Sequence, residues 1–375
     1  MGWLTGWSFR RPVTINNTNN SNELTDYQVL VVVDTASLIQ QGKMQADCDD
    51  IRFTDSDGTT LLPYWIEGPI NASNTKIWVK VPSIPANGTK VIYFYYGNTT
   101  AQSESSIANT FIREIDNGQP LRLAVPMDEG SGSTVYDQSG NNFNGTIYGA
   151  TWTQGRYGNA LSFDGVDDYV DFGTAPSLSG PIDFSVVFWL KSTFTGGGYI
   201  IAQRAPGYQG EWMVNLGGNH NNSALYPGKI YFMVYNSGFQ WEIWSTTQVN
   251  DGQWHSIVAV RQGENGYIYI DGKLDAQASG TIRSLDNTLK TAIGMDLRDV
   301  NKPLQGIVDE VFLFTRALTS AEIADLYNYY GYATPNYPRR VLVRKRSDPE
   351  PTTSVGNEEI GLVIIRQRRM FIMSI

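Results

Sequence analysis

The chain has 375 residues, 41% of them apolar and 12% aromatic, with 37 glycines and a formal net charge of −9. That length holds two ordinary cores, and the negative charge repels phosphate backbones and anionic lipid, which argues against nucleic acid as a partner. Cys48 is the single cysteine, so no intrachain disulfide can form and each core must be held by packing.

The opening segment to Pro12 carries Trp3, Leu4 and Trp7 but no apolar run of the length a signal peptide needs. From Arg11 to Gly97, short β-rich runs alternate with turn chemistry: RPVTINN, YQVLVVVD, DIRFTDSDG, LLPYWIEG, KIWVKVP and KVIYFYYG. Ile77, Val79 and Val81 share one strand face, and Trp78 and Lys80 the other. Asp57-Gly58 is a hairpin signal, because a two-residue turn matching strand twist needs positive φ. Ala36 to Met44 is the one helical stretch here. These features predict an all-β sandwich over residues 1–114, closed by the Ser/Thr/Asn/Ala-rich linker Thr99 to Glu114, with the boundary near Ile115.

Turn clusters then recur closely (GSGS, QSGNN, DGVDD, TGGG, GGNHNN, NDGQ, ENG, DGK), predicting regular short strands and arguing against a βαβ fold. Phe184, Val186, Phe188 and Leu190 line one face of a strand whose other face, with Val187 and Trp189, is apolar too; such a strand is buried on both sides. GYIYIDGK ends in the hairpin turn Asp271-Gly272. Only Thr319 to Tyr329 carries a helix signature, with Thr319 or Ser320 as cap, Glu322 in the first turn, and Ile323, Leu326 and Tyr327 at helical spacing. Residues 115–333 are therefore a second sandwich, with one short helix near its C-terminal end. Residues 334–375 combine basic Arg339, Arg340, Arg344, Lys345 and Arg346 with a Pro/Glu/Thr hinge and a β-branched close. That tail reads as an edge strand or assembly arm, or as a solvated extension. The apolar run Ile360 to Ile365 is six residues, far below the ~20 that span a bilayer.

FDGVDDYVDFG (Phe163 to Gly173), FSVVFWLK, WHSIVAV, YIYIDGK and GIVDEVFLFTRALTSAEIADLY (Gly306 to Tyr327) together resemble the laminin-G-like and pentraxin-like members of the concanavalin A lectin/glucanase fold. The resemblance implies a two-sheet antiparallel jelly roll. Trp7, Arg11, Pro12, Ile77 to Pro82 and Tyr95 to Gly97 resemble a domain of unknown function from archaeal and some bacterial surface proteins. The pairing implies a protein of an archaeal-type cell surface or virion, and no activity.

Glycoside hydrolases of this fold carry Glu-x-Asp-x-(x)-Glu on one strand, two carboxylates about 5 Å apart for retaining chemistry. Glu114-Ile115-Asp116 is the nearest string and lacks the second glutamate, so no catalytic residue is assigned. Asp309 and Glu310 are adjacent on a strand and point to opposite faces. With Glu129, the acids Asp128, Asp137 and Asp309 are candidate oxygen ligands of a structural Ca²⁺; turn capping and salt bridging are the competing reading. Asp55-Ser56-Asp57-Gly58 opens like a Ca²⁺ loop but lacks its closing glutamate, and the two histidines, His220 and His255, stand far apart with no Cys/His cluster. Cys48 sits among acids that disfavour its thiolate.

Between Tyr199 and Trp244 lie Tyr208, Trp212, Tyr226, Tyr231, Tyr235, Phe239, Trp241 and Trp244, interleaved with Asn, Gln and Arg204. Sugar rings stack on aromatic planes while their hydroxyls take polar side chains, so the composition suits a glycan site. Half or more of these rings belong to the core; Tyr231, Tyr235, Trp241 and Trp244 are expected to be exposed, with Trp212 and Tyr226 on loops and Arg204 beside them. Asn-x-Ser/Thr sequons recur from Asn16 to Asn221, as in a glycosylated exterior protein. The expectation is a non-catalytic protein outside a cell or on a virion that recognises glycans or a cell-surface protein. A structural subunit that assembles as a homo-oligomer and a polysaccharide hydrolase are the alternatives.

Overall fold

Runs such as TKIWVKVPSI and FSVVFWLK place β-branched and aromatic side chains on pleated surfaces, and strands dominate throughout. A computed structural model of the chain describes residues 2–115, 121–204, 209–217, 226–286, 288–297 and 302–361. The fold is all-β, built of antiparallel sheets. Two units emerge, Met1–Ile112 with Arg344–Ile375, and Arg113–Val343, so the second is inserted into the first along the chain. Asp116 to Gln119, Tyr208, His220, Asn221 and Leu362 to Ile365 lie outside the described residues. Among the described residues, no helix is long and apolar enough to cross a membrane.

In the first unit, strand Phe9–Asn16 pairs on one side with Thr89–Tyr96 and on the other with the returning strand Thr352–Val355, Val13 facing Val355. A second sheet joins Leu24–Val33, Thr75–Ile84 and Tyr64–Gly68. Val13, Ile15, Val29, Val31, Ile77, Val79, Val81 and Phe94 fill the core. Asp55-Ser56-Asp57-Gly58 is a turn: Gly58 takes φ +82° and Asp57 Oδ1 accepts from the amides of Thr59 and Thr60. Cys48 is buried, and burial pushes its thiol up to about 11, which leaves it unreactive.

The second unit is a sandwich of two eight-stranded sheets. One runs in the order Thr134–Val135, Gly145–Tyr148, Tyr169–Asp171, Lys290–Ile293, Gly198–Arg204, Glu211–Leu216, Lys229–Tyr235, Phe239–Gln248. The other runs Thr151–Gln154, Asn159–Asp164, Gln305–Phe314, Phe184–Lys191, Trp254–Gln262, Asn265–Ile270, Lys273–Ser279, with Leu121–Val125 added to Gln305–Phe314. Phe184, Val186, Phe188 and Leu190 of the second sheet share a core with Trp212, Val214, Phe232 and Val234 of the first. The opposite face of the second sheet is apolar as well. Val187, Val258, Val260, Phe312 and Phe314 pack there with Ile323 and Leu326 of helix Ser320–Asn328 and with Ile115, Val341 and Val343. Thr319 and Glu322 form a reciprocal capping box at the start of that helix.

Phe184 is fully buried, with its ring 5.2 Å from that of Trp212 and 6.0 Å from that of Phe232. Phe184→Ala is expected to cost about 3–5 kcal/mol of stability, read by urea denaturation; a loss below about 1 kcal/mol would mean the two sheets are not joined through this cluster.

Candidate functional site: the outer face of the first sheet

With one sheet covered on both sides, the face available for recognition is that of the first sheet turned away from the core. Strand parity decides what it carries. Along Lys229–Tyr235, Ile230, Phe232 and Val234 point into the core, so Tyr231, Met233 and Tyr235 point outward. Along Glu211–Leu216, Trp212, Val214 and Leu216 point inward, leaving Glu211, Met213 and Asn215 outward. A bulge at Ile200 shifts the phase of Gly198–Arg204, so that Tyr199, Ala202 and Arg204 all belong to the outer side.

Three of the expectations above are corrected, two by strand parity and one by coverage. Trp212 lies on a strand, not a loop, and is fully buried, its indole N–H donating to Gln203 Oε1 at 3.0 Å. Trp241 shares the inward face with Ile243, and its N–H reaches the carbonyl of Glu264. Tyr231 points outward yet is only 1% exposed, packed with Tyr199, Met213 and Met233, and its hydroxyl donates to Glu242 Oε1 at 2.6 Å. Arg204 is a fourth correction: it is buried and committed. Its guanidinium meets both oxygens of Glu211 at 3.1 Å, approaches Asp296 at 3.3 Å and donates to the hydroxyl of Tyr199. Buried charges need such partners, since removing either sign strands the other in low dielectric.

What stays accessible lies at two ends of the face. At one end, Trp244 is half-buried between Tyr226 and Tyr231, the ring centroids 5.1 and 5.0 Å away, and the Tyr226 ring is stacked on it. The Trp244 indole N–H is buried and meets no acceptor among the described residues. Tyr235 is half-buried and meets the exposed ring of Phe239 edge-on at 5.0 Å. At the other end, Tyr148 and Tyr169 face each other across strands at 4.5 Å, nearly parallel, and Tyr148 is 46% exposed. Lys290 and Asp171 pair between the two ends. Tyr148 and Tyr169 are absent from the sequence-derived set, although each alternates with a core residue, Ile147 and Val170, which is the signal that marks them as outward.

The acids divide differently. Asp137 is saturated by the amides of Ala124, Ser139 and Phe143 and the hydroxyl of Ser139, so the expectation that it ligates a metal is replaced by a turn-capping role. Asp309 is fully buried; Oδ2 accepts from the amide of Tyr157 at 3.0 Å, whereas Oδ1 meets no donor among the described residues. Burial, with the nearby negative charge of Asp128, pushes its carboxyl up to about 8. Glu129 also keeps one buried oxygen, Oε2, without a partner among the described residues, and burial raises its pKa. Asp164, Asp167 and Asp168 bring their oxygens within 4.8 Å of one another in the loop after strand Asn159–Asp164, but two of them are exposed. His255 is held between Asp271 and Asp251, at 2.9 and 3.2 Å, as a structural strut.

Residues 164–324 match the model of the concanavalin A-like lectin/glucanases superfamily, and residues 47–122 match that of a domain of unknown function. Among solved structures, the chain is similar to the binding domain of Paraclostridial Mosquitocidal Protein 1, at 17% identity and a TM-score of 0.45 over 56% of this chain and 52% of that one. It is similar to domain 4 of AbnA, an extracellular arabinanase from Geobacillus stearothermophilus solved with arabinotriose, at 18% identity and a TM-score of 0.45 over 56% and 100%. The binding domain of botulinum neurotoxin serotype G matches at 14% identity and a TM-score of 0.41, over 55% and 50%. The match thus spans about half the length of the two toxin domains. No curated protein matches the chain.

Arg204→Met would leave Glu211 and Asp296 buried without their cation. The expected loss is about 3–5 kcal/mol in chemical denaturation; a neutral substitution would show that the network is solvated.

Proposed function

We propose that this chain is a non-catalytic recognition protein of an exterior surface, and that its concanavalin A-like unit binds a glycan on the outer face of the first sheet. The observation that carries the reading is Trp244: a half-buried indole stacked on Tyr226 at an accessible end of the face. A sugar ring laid on the accessible aromatic surface stacks its C–H face on the ring and turns its hydroxyls to neighbouring polar groups. Glu242, partly exposed on the same strand, supplies a carboxylate for those hydroxyls.

The second platform, Tyr148 over Tyr169, lies on the same face. Strand Tyr169–Asp171 and the Trp244 strand Phe239–Gln248 are separated by Lys290–Ile293, Gly198–Arg204, Glu211–Leu216 and Lys229–Tyr235, which at ~4.8 Å per step sets the platforms ~24 Å apart. A ligand engaging both is an extended oligosaccharide. Hydrolysis is disfavoured in this reading because Arg204 neutralises Glu211 bidentately and the Tyr231 hydroxyl binds Glu242, so neither outward carboxylate is set up as a catalytic acid or nucleophile. The first unit acts as spacer or anchor, and the setting is a cell or virion surface of the archaeal type.

Trp244→Ala in the full chain is expected to weaken oligosaccharide binding at least ~10-fold while the chain still melts cooperatively at a lowered temperature, measured on a glycan array and by calorimetry with the best array hit. A wild-type chain that binds nothing on the array, or an unaffected Trp244→Ala, contradicts the proposal.

A further inference from the structure

Residues 282–284 lie against the hairpin that joins strands Lys229–Tyr235 and Phe239–Gln248, and they are pinned to it from both sides. The Arg283 amide donates to Gln240 Oε1 at 3.1 Å, and Asn236 Nδ2 donates to the carbonyl of Ser284 at 2.8 Å. This anchoring sets the Arg283 side chain on the turn: a Cβ at Gly238 would lie 3.0 Å from Arg283 Nη2 and 3.5 Å from its Cζ, so a side chain there would crowd the guanidinium. The next residue is Phe239, whose exposed ring meets that of Tyr235 edge-on at 5.0 Å. We propose that Arg283 binds the carboxylate of an acidic sugar whose ring lies on the Phe239 and Tyr235 pair, a subsite that rests on the glycan-binding reading of this face.

The Arg283 guanidinium is uncommitted. Among the described residues it donates to no acceptor and joins no ion pair, and its Nε is buried without a partner. Behind its main chain stands a second cation. Arg261, paired with Phe184 across the second sheet, is fully buried and donates from Nη2 to the carbonyl of Arg283 at 2.5 Å. Its Nε and Nη1 meet no acceptor among the described residues, and burial pushes the group down to about 10. Asp183 is the acid whose charge acts on it, but Asp183 is half-buried and its Oδ1 already accepts from the amide of Gly263 at 2.7 Å. A guanidinium taken out of water without a carboxylate is costly, so two of them at one turn leave this end of the face short of an anion. In a chain of net charge −9, that local excess draws an acidic ligand where the rest of the surface repels it.

The ligand class follows from what the two halves of the subsite can hold. A guanidinium matches a planar carboxylate through charge-assisted N–H···O bonds, better than it matches a lone hydroxyl. The Tyr235 and Phe239 rings offer an apolar surface to the C–H face of a sugar ring. A neutral sugar would use the rings and leave the cation unpaired, whereas an inorganic anion would use the cation and leave the rings bare. A carboxylate-bearing sugar such as a uronate uses both. Trp244 lies further along the same strand, about 17 Å away at ~3.4 Å per residue, so the two platforms can be removed separately.

The test titrates the full chain by calorimetry with uronic-acid oligosaccharides and with the same oligosaccharides after reduction of their carboxyls to alcohols. The acid form is expected to bind at least ~10-fold tighter than the reduced form, with an advantage that shrinks as salt is raised. Arg283→Gln should erase that advantage and leave the reduced form unaffected, Arg283→Lys should keep part of it, and Trp244→Ala should weaken both forms alike. If Arg283→Gln folds poorly, the comparison of the two forms in the wild type decides alone. Equal binding of the two forms, or an advantage that survives Arg283→Gln, would overturn the carboxylate subsite while leaving the glycan face standing. Binding of neither form overturns the subsite as well, and the glycan array then shows whether the face itself fails with it.

Discussion

Strand Phe184–Lys191 must be buried on both faces, and the rest of the larger unit is arranged to satisfy that demand. Its residues are apolar in both phases, and the one polar interior side chain, Ser185, is satisfied by the carbonyl of Arg316 and the amide of Leu318. One face meets the first sheet. The other requires a cover, which the helix Ser320–Asn328 and the strands Arg113–Ile115 and Val341–Arg344 provide through Ile323, Leu326, Ile115, Val341 and Val343. The chain's late helix and terminal strands are thereby committed to packing. The second sheet and its cover leave the outer face of the first sheet open, where inward positions hold the core and outward positions are aromatic and charged.

That outer face is not a uniform surface. Its centre is a packed layer in which Arg204 neutralises Glu211 and Asp296 beside Tyr199, and Tyr231 binds Glu242. A buried ion pair contributes little net stability but fixes geometry, because few alternative packings satisfy all its members. Tyr231, held by its hydroxyl and by Met213 and Met233, in turn supports the Trp244 ring at 5.0 Å. The exposed aromatics therefore stand on a rigid floor, so a ligand would meet rings already oriented, with less side-chain entropy to lose.

Much of this was legible in the residues. Alternation in Lys229–Tyr235 separates Ile230, Phe232 and Val234 from Tyr231, Met233 and Tyr235, the double-faced apolar strand is visible in FSVVFWLK, and the helix cap reads directly from Thr319 and Glu322. Direction was legible; coverage was not. Tyr231 has the right parity for exposure and is covered by neighbours distant in the chain, which no local pattern reports. Trp241 and Trp244 are three apart and so must point to opposite faces of a regular strand, a constraint that assigning both to the surface overlooks. Trp212 follows a glycine turn and precedes a loop rich in Gly and Asn, so local chemistry suggested a loop where sheet pairing made a strand. Among the acids, Asp137 binds amides two and six residues onward, a local event, whereas the isolation of Asp309 Oδ1 and Glu129 Oε2 depends on packing across the whole sandwich.

The most direct measurement is a crystal structure of the full chain with the oligosaccharide it binds best. A sugar ring stacked on Trp244 or Tyr226, with the chain directed across the strands toward Tyr148 and Tyr169, is the predicted result. A ligand seated on the helix-covered side of the sandwich, or held with no contact to these aromatics, would contradict it.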